Sequence, residues 1–134
     1  MGFFSNLKAA STVSTATQFA RKHLEVEAAC GTFKGDAKAV AEKLVLAVWQ
    51  DVPGLADQTA KPTAVLVAAA ALANGVKHFD ATGNKALAQA FFRCLGTLLQ
   101  YDVHKLVDAT MLSPIDSRLW DIAHSPFDQS GTDR

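Results

Sequence analysis

Residues Ala64–Ala73 read AVLVAAAALA, ten consecutive positions without a polar side chain. A helix of ten residues rises about 15 Å, roughly half of what a bilayer core requires. Alanine side chains are small enough to let neighbouring backbones approach closely. The stretch therefore predicts a helix buried among other helices, at the centre of an all-α fold. No longer apolar window occurs, so we expect no integral membrane insertion.

The composition predicts a single globular domain, and the charges give no sign of a polyanionic partner. The chain has 134 residues, of which 49% are hydrophobic and 19% charged, as in folded rather than disordered proteins. Its 13 basic residues balance 13 acidic ones, and no basic run could follow a phosphate backbone. Nucleic acid is therefore not an expected partner.

The cysteines and the first residues both favour a cytoplasmic location. Cys30 and Cys94 form no CxxC pair, and the simplest interpretation is two small buried hydrophobes in a reducing compartment. A disulfide between them is left open. The first residues lack the basic start and continuous apolar core of a signal peptide. We predict a cytoplasmic protein.

Outward from the alanine-rich helix, periodicity and end signals predict four more helices. Asp36 and Ser113 are candidate N-caps, and Ser113 with Asp116 resembles a capping box. After residue 124 the periodicity ends, so residues 1–124 form the predicted domain and residues 125–134 a flexible tail. The predicted bundle has about five helices, at 5–29, 37–50, 62 to either 75 or 79, 85 to about 107 and 114–124.

Two glycines complicate the two central helices. Near Gly75 the alanine-rich helix either ends or continues with a kink to Phe79. Gly96 lies within the fourth helix, which is apolar on most of its circumference. We interpret Gly96 as a weak point or as a site of close helix approach.

Histidine–carboxylate pairs are the candidates for a metal or ligand site. His23 precedes Glu27 by four positions and His104 precedes Asp108 by four, spacings that share a helix face. Asp121 and His124 are three apart on the last helix, and helical bundles hold metals with such side chains from facing helices. One hypothesis is therefore a site at the junction of the last two helices. Buried partner carboxylates are missing, which favours surface ion pairs instead. The ligand set of that hypothesis is His104, Asp108, Asp121 and His124.

Catalytic patterns are weak. Cys94 lies among apolar residues, where burial makes a thiol inert, and the serines lack a Gly-x-Ser-x-Gly elbow. The glycines around Lys34 do not have phosphate-loop spacing. We predict no cofactor and favour a protein that is not an enzyme. A small enzyme acting through His78 or His104 is kept as a third hypothesis.

Large apolar side chains beside the main helical stripes favour an interaction function. Trp49 and Trp120 both lie off the stripes of their helices, as does Leu46. Large aromatic side chains are enriched at protein interfaces, although a broad core could also enclose them. The leading hypothesis is a non-enzymatic module that self-associates or binds a protein partner as an adaptor or inhibitor. Its predicted interface residues are Leu46, Trp49 and Trp120.

Overall fold

The computed structural model describes residues 3–52, 54–55 and 61–128, with the side chains of 11–52, 54–55 and 61–127. Within those ranges the chain forms helices and no strand, which confirms the predicted all-α bundle of five helices. A π-helical segment, Leu98–Val103, continues the fourth helix into a last turn, His104–Leu106. The five helices are α1 (Phe3–Ala29), α2 (Ala37–Asp51), α3 (Lys61–Ala81), α4 (Lys85–Thr97) and α5 (Pro114–His124).

Helix α3 is the central element of the bundle. It packs against α1, α2, α4 and α5, and all of Ala64–Ala73 is buried. Alanine at so many positions allows four neighbours to contact one helix. No helix within the described ranges has the length and apolar character needed to cross a membrane.

The structure decides between the alternatives at both glycines. Helix α3 does not end near Gly75 but continues as an α-helix to Ala81. A Cβ atom at Gly75 would lie 2.6 Å from Cδ2 of Phe91 on α4. The Phe91 ring can therefore pack at this position only because residue 75 has no side chain. At Gly96 a Cβ would meet no atom within 4 Å. The close helix approach is therefore at Gly75 and not at Gly96.

Local signals define the helix ends as predicted. Asp36 accepts a hydrogen bond from the Ala39 N–H at 3.2 Å, and Ser113 accepts one from the Asp116 N–H at 3.1 Å. The second half of the predicted capping box does not form. The Asp116 carboxylate instead accepts a hydrogen bond from the Thr63 hydroxyl at 2.8 Å, which links α5 to α3.

Loss of the Ser113 cap gives a first testable expectation. Ser113→Ala should lower the free energy of unfolding by about 1 kcal/mol, the usual cost of an N-cap side chain. The measurement is urea denaturation followed by circular dichroism. Ser117→Ala, within the same helix, is the control and should cause no comparable loss. Equal losses in both variants would show that the cap does not stabilise α5.

The residues that directly follow α5 form a short helix. Ser125–Asp128 is a 3₁₀-helix, in which Pro126 is buried and Phe127 packs against the core. The Phe127 ring lies 4.5 Å from that of Phe92 on α4, measured between centroids. These residues belong to the predicted tail, whose remainder, 129–134, lies outside the described residues.

Candidate functional site

An open groove of about 740 Å³ lies between the far end of the α4 region and the end of α5. We call it the aromatic groove. One side comes from consecutive turns of α4 and the π-helical segment, and the other from α5 and the 3₁₀-helix. Its lining residues are Gly96, Leu99, Gln100, Tyr101, His104, His124 and Phe127.

The π-helical segment positions the first side of the groove. Its Asp102 accepts hydrogen bonds from Lys22 Nζ and His23 Nε2 of α1, each at 3.1 Å. Burial acts to raise the pKa of Asp102, but the bonds from His23 and Lys22 outweigh it and the pKa is lowered. The neighbouring Tyr101 is 61% exposed. The segment is thus fixed to α1 through Asp102, while Tyr101 lines the groove. Such π-helical insertions are frequent at functional sites.

Ring contacts build the second side. The imidazole of His124 stacks on the Trp120 indole, with centroids 4.4 Å apart and planes inclined by 29°. His124 Nδ1 lies 2.8 Å from the Trp120 carbonyl oxygen. Because a carbonyl only accepts, Nδ1 carries the proton, and Nε2 is left as the acceptor of a neutral ring. This hydrogen bond therefore fixes the orientation of the His124 ring on the α5 side of the groove.

The predicted interface residues lie on two helices. Leu46 on α2 is 42% exposed, whereas Trp49 of the same helix is half-buried against the core. Trp120 on α5 is also half-buried, and it borders the aromatic groove through its stack with His124. Neither Leu46 nor Trp49 is among the residues that line the groove.

The structure does not assemble the predicted four-ligand metal site. His104 and His124 line the same groove, but Asp108 and Asp121 do not. The pairing of His104 with Asp108 assumed a continuous helix, whereas the helix ends at Leu106 and Val107 is extended. Asp108 instead accepts hydrogen bonds from the backbone and hydroxyl of Thr110. Among the described residues, no three His, Cys, Asp or Glu side chains lie close enough to hold a metal ion.

The burial of Glu27 and its pairing with Arg93 were not predicted from the sequence. Glu27 on α1 is 9% exposed and accepts two hydrogen bonds from Arg93 on α4, at 2.8 Å and 3.2 Å. The Thr32 hydroxyl donates a third. The bond from Arg93 lowers the pKa of Glu27; burial opposes this effect and the Thr32 bond adds to it. His23 and Glu27 therefore bind α4 and its continuation rather than each other. The available signal was the position of Glu27, which continues the buried stripe of Ala20 and Leu24.

The two cysteines differ in environment. Both are free. Cys94 is buried, as predicted, and burial raises the pKa of its thiol to about 12, so it is an unreactive thiol at neutral pH. Cys30 is exposed, which corrects the prediction that both are buried, because it lies in the turn that follows α1.

Comparisons with protein-family models, with curated proteins and with solved structures gave no match to this chain. Its function therefore has to be inferred from its own side chains.

Proposed function

We propose that the protein is a non-enzymatic helical interaction module that pairs with a second copy of itself through the aromatic groove. The observation that supports this is the combination of Tyr101 and Gly96 in one surface. Tyr101 is 61% exposed, and the space beside Gly96 contains no atom within 4 Å of a Cβ position. The same groove thus offers a projecting ring and a recess.

A two-fold symmetric contact needs such a pair. In an isologous interface the same surface patch serves both copies, so a projection on one must meet a recess on the other. Gly96 and Tyr101 lie on one continuous helical stretch. Two copies of that stretch packed antiparallel would place each Tyr101 ring over the Gly96 of the other copy.

The surrounding surface is suited to self-association. Leu99 and Phe127 line the groove, and aromatic side chains contribute most of the energy at many interfaces. The exposed charges nearby are of both signs, with Lys105 after His104 and Asp121 before His124. The chain has a formal net charge of zero. Two copies therefore meet without net repulsion.

Chemistry in the groove is a weaker interpretation. No carboxylate or thiol is among its lining side chains, which leaves two imidazoles, a phenol and an amide as functional groups. The other histidine of the third hypothesis is His78, whose side chain is exposed. Its ring contacts the Phe79 ring edge-on, with centroids 4.9 Å apart.

Sedimentation velocity over a concentration series tests the proposal. We expect the wild-type mass to rise from 14.2 kDa towards twice that value. Gly96→Gln fills the recess and Tyr101→Glu replaces the projecting ring with a charge. Each should weaken association about tenfold or more, as expected for loss of a central contact. Val26→Glu is the matched control, because Val26 is 59% exposed on α1, and should leave association unchanged.

Two outcomes would contradict the proposal. One is a monomer at all concentrations up to about 1 mM, which would mean an association free energy weaker than about 4 kcal/mol. The other is a dimer that is insensitive to Gly96→Gln and Tyr101→Glu but is dissociated by Leu46→Asp. That result would assign the interface to the predicted α2 surface rather than to the groove.

A further inference from the structure

A second pocket, of about 540 Å³, lies where the turn after α1 meets the start of α4. We call it the arginine pocket. Two of its side chains are cationic, Lys34 and Arg93, and none is a carboxylate. Lys34 has no ion-pair partner among the described residues. The lining residues are Gly31, Thr32, Lys34, Asn84, Ala86, Leu87, Gln89 and Arg93.

Arg93 is held in a fixed orientation at this pocket. Its Nε and Nη2 atoms donate to the two oxygens of Glu27, and Thr32 in turn donates to Glu27. A guanidinium has five N–H groups, so about three remain beyond the two bonds to Glu27. The Arg93 side chain is 49% exposed, whereas that of Glu27 is 12% exposed. Glu27 therefore holds the guanidinium from the buried side and leaves its outer N–H groups accessible.

The other polar groups of the pocket also supply donors. Asn84 uses its side-chain oxygen to cap the Leu87 N–H at 3.2 Å, so its amide NH₂ is left as a donor. Gln89 contributes a second amide, and Lys34 an ammonium group. Glu27 offsets the charge of Arg93, so the net positive charge comes from Lys34, with a smaller contribution from the start of α4.

We infer that the arginine pocket binds the oxyanion group, phosphate or carboxylate, of a small organic molecule. The fork of a guanidinium fits two oxygens of such a group, and Lys34 supplies the charge. Ala86 and Leu87 form an apolar wall that suits the organic part of the ligand. This site is separate from the aromatic groove and does not depend on self-association.

The test uses inorganic phosphate and acetate as probes, titrated at constant ionic strength while backbone amide resonances are followed by NMR. We expect saturable shifts with at least one probe at Thr32, Lys34, Ala86 and Leu87. Ala86→Asp places a negative charge in the pocket and Lys34→Glu reverses its free cation. Each should weaken binding about tenfold or more, because charge-assisted hydrogen bonds are lost or opposed.

The variants separate loss of the site from loss of the fold. An aspartate in the first turn of α4 is favourable for the helix, so Ala86→Asp should weaken binding about tenfold or more while the melting temperature is kept or raised. Lys43→Glu makes the same charge change as Lys34→Glu at an exposed position of α2, and should leave the affinity within about twofold. Shifts that rise linearly without saturation, or equal weakening by Lys34→Glu and Lys43→Glu, would overturn the inference.

Discussion

Gly75→Ala is expected to lower the free energy of unfolding by about 1–3 kcal/mol, the usual cost of overpacking a core. The new Cβ would lie 2.6 Å from Cδ2 and 2.9 Å from Cε2 of Phe91, and 3.4 Å from Cδ1 of Leu44. Phe91 is fully buried, and its ring already contacts Phe33 and Phe79, with centroids at 6.0 Å and 5.1 Å. The ring cannot turn aside without displacing them.

The control for this variant is the same substitution one helix further along. Gly96→Ala should raise the free energy of unfolding by about 0.5–1 kcal/mol, because alanine is the better helix former and the added methyl group meets nothing within 4 Å. Both changes are measured by urea denaturation. Effects of the same sign at Gly75 and Gly96 would contradict the packing of α3 on α4 described above.

Arg93→Ala is the second large effect, expected to cost about 1–2 kcal/mol at neutral pH. The loss arises because Glu27 is left buried with only the Thr32 hydroxyl as a side-chain partner. This value is in the lower part of the usual range for removing the partner of a buried charged group. The Arg93 side chain is 49% exposed, and solvent weakens such ion pairs.

The pH dependence of this cost has a definite sign. Arg93 lowers the pKa of Glu27 in the folded state below its ordinary value of 4.5. A carboxyl group whose pKa is lower in the folded than in the unfolded state stabilises the fold at pH values above its unfolded pKa. That stabilisation is lost as the pH falls through the pKa of the folded state. The difference in stability between wild type and Arg93→Ala should therefore be constant near neutral pH and shrink below about pH 4.5.

Arg21→Ala is the matched control, since Arg21 pairs with Glu25 at 2.7 Å on α1 with both side chains about half exposed. Exposed pairs four residues apart on a helix contribute only about 0.3–0.5 kcal/mol. Denaturation of the three proteins at several pH values is the measurement. An Arg93→Ala cost no larger than that of Arg21→Ala, or one that is undiminished at acidic pH, would show that the Glu27 pair does not stabilise the fold.

Local signals were sufficient to predict the architecture. The apolar run of α3 and the caps at Asp36 and Ser113 depend on residues within a few positions, so periodicity and capping rules apply directly. The two glycines show that local rules do not predict contacts between helices. Both lie in apolar helical stretches, and only the placement of Phe91 against α3 distinguishes the crowded Gly75 from the open Gly96.

The candidate sites were harder to predict because they depend on helix phase and on pairing between distant segments. His104 and Asp108 share a face only if the α-helix continues, and the end of the helix at Leu106 breaks that assumption. Trp120 is half-buried against the core, and its stacking contact with His124 came from a pairing that the sequence rules did not consider. Glu27 could have been found, since a carboxylate in a buried stripe requires a cationic partner. Its identity as Arg93 required the fold.

The π-helical segment also makes the aromatic groove sensitive to changes in chain length. Each residue of an α-helix advances the direction of its side chain by about 100°, and Leu98–Val103 winds differently from that. Substitutions at Gln100 or Tyr101 alter the chemistry of the groove and leave its layout intact. A π turn closes over one residue more than an α turn. Deletion of a single residue from the segment would therefore restore an ordinary α-helix, in which His104 keeps its direction relative to Gly96 but Tyr101 and Asp102 are no longer presented from the wider turn. Insertions and deletions, more than substitutions, are thus the changes by which related chains would gain or lose this surface.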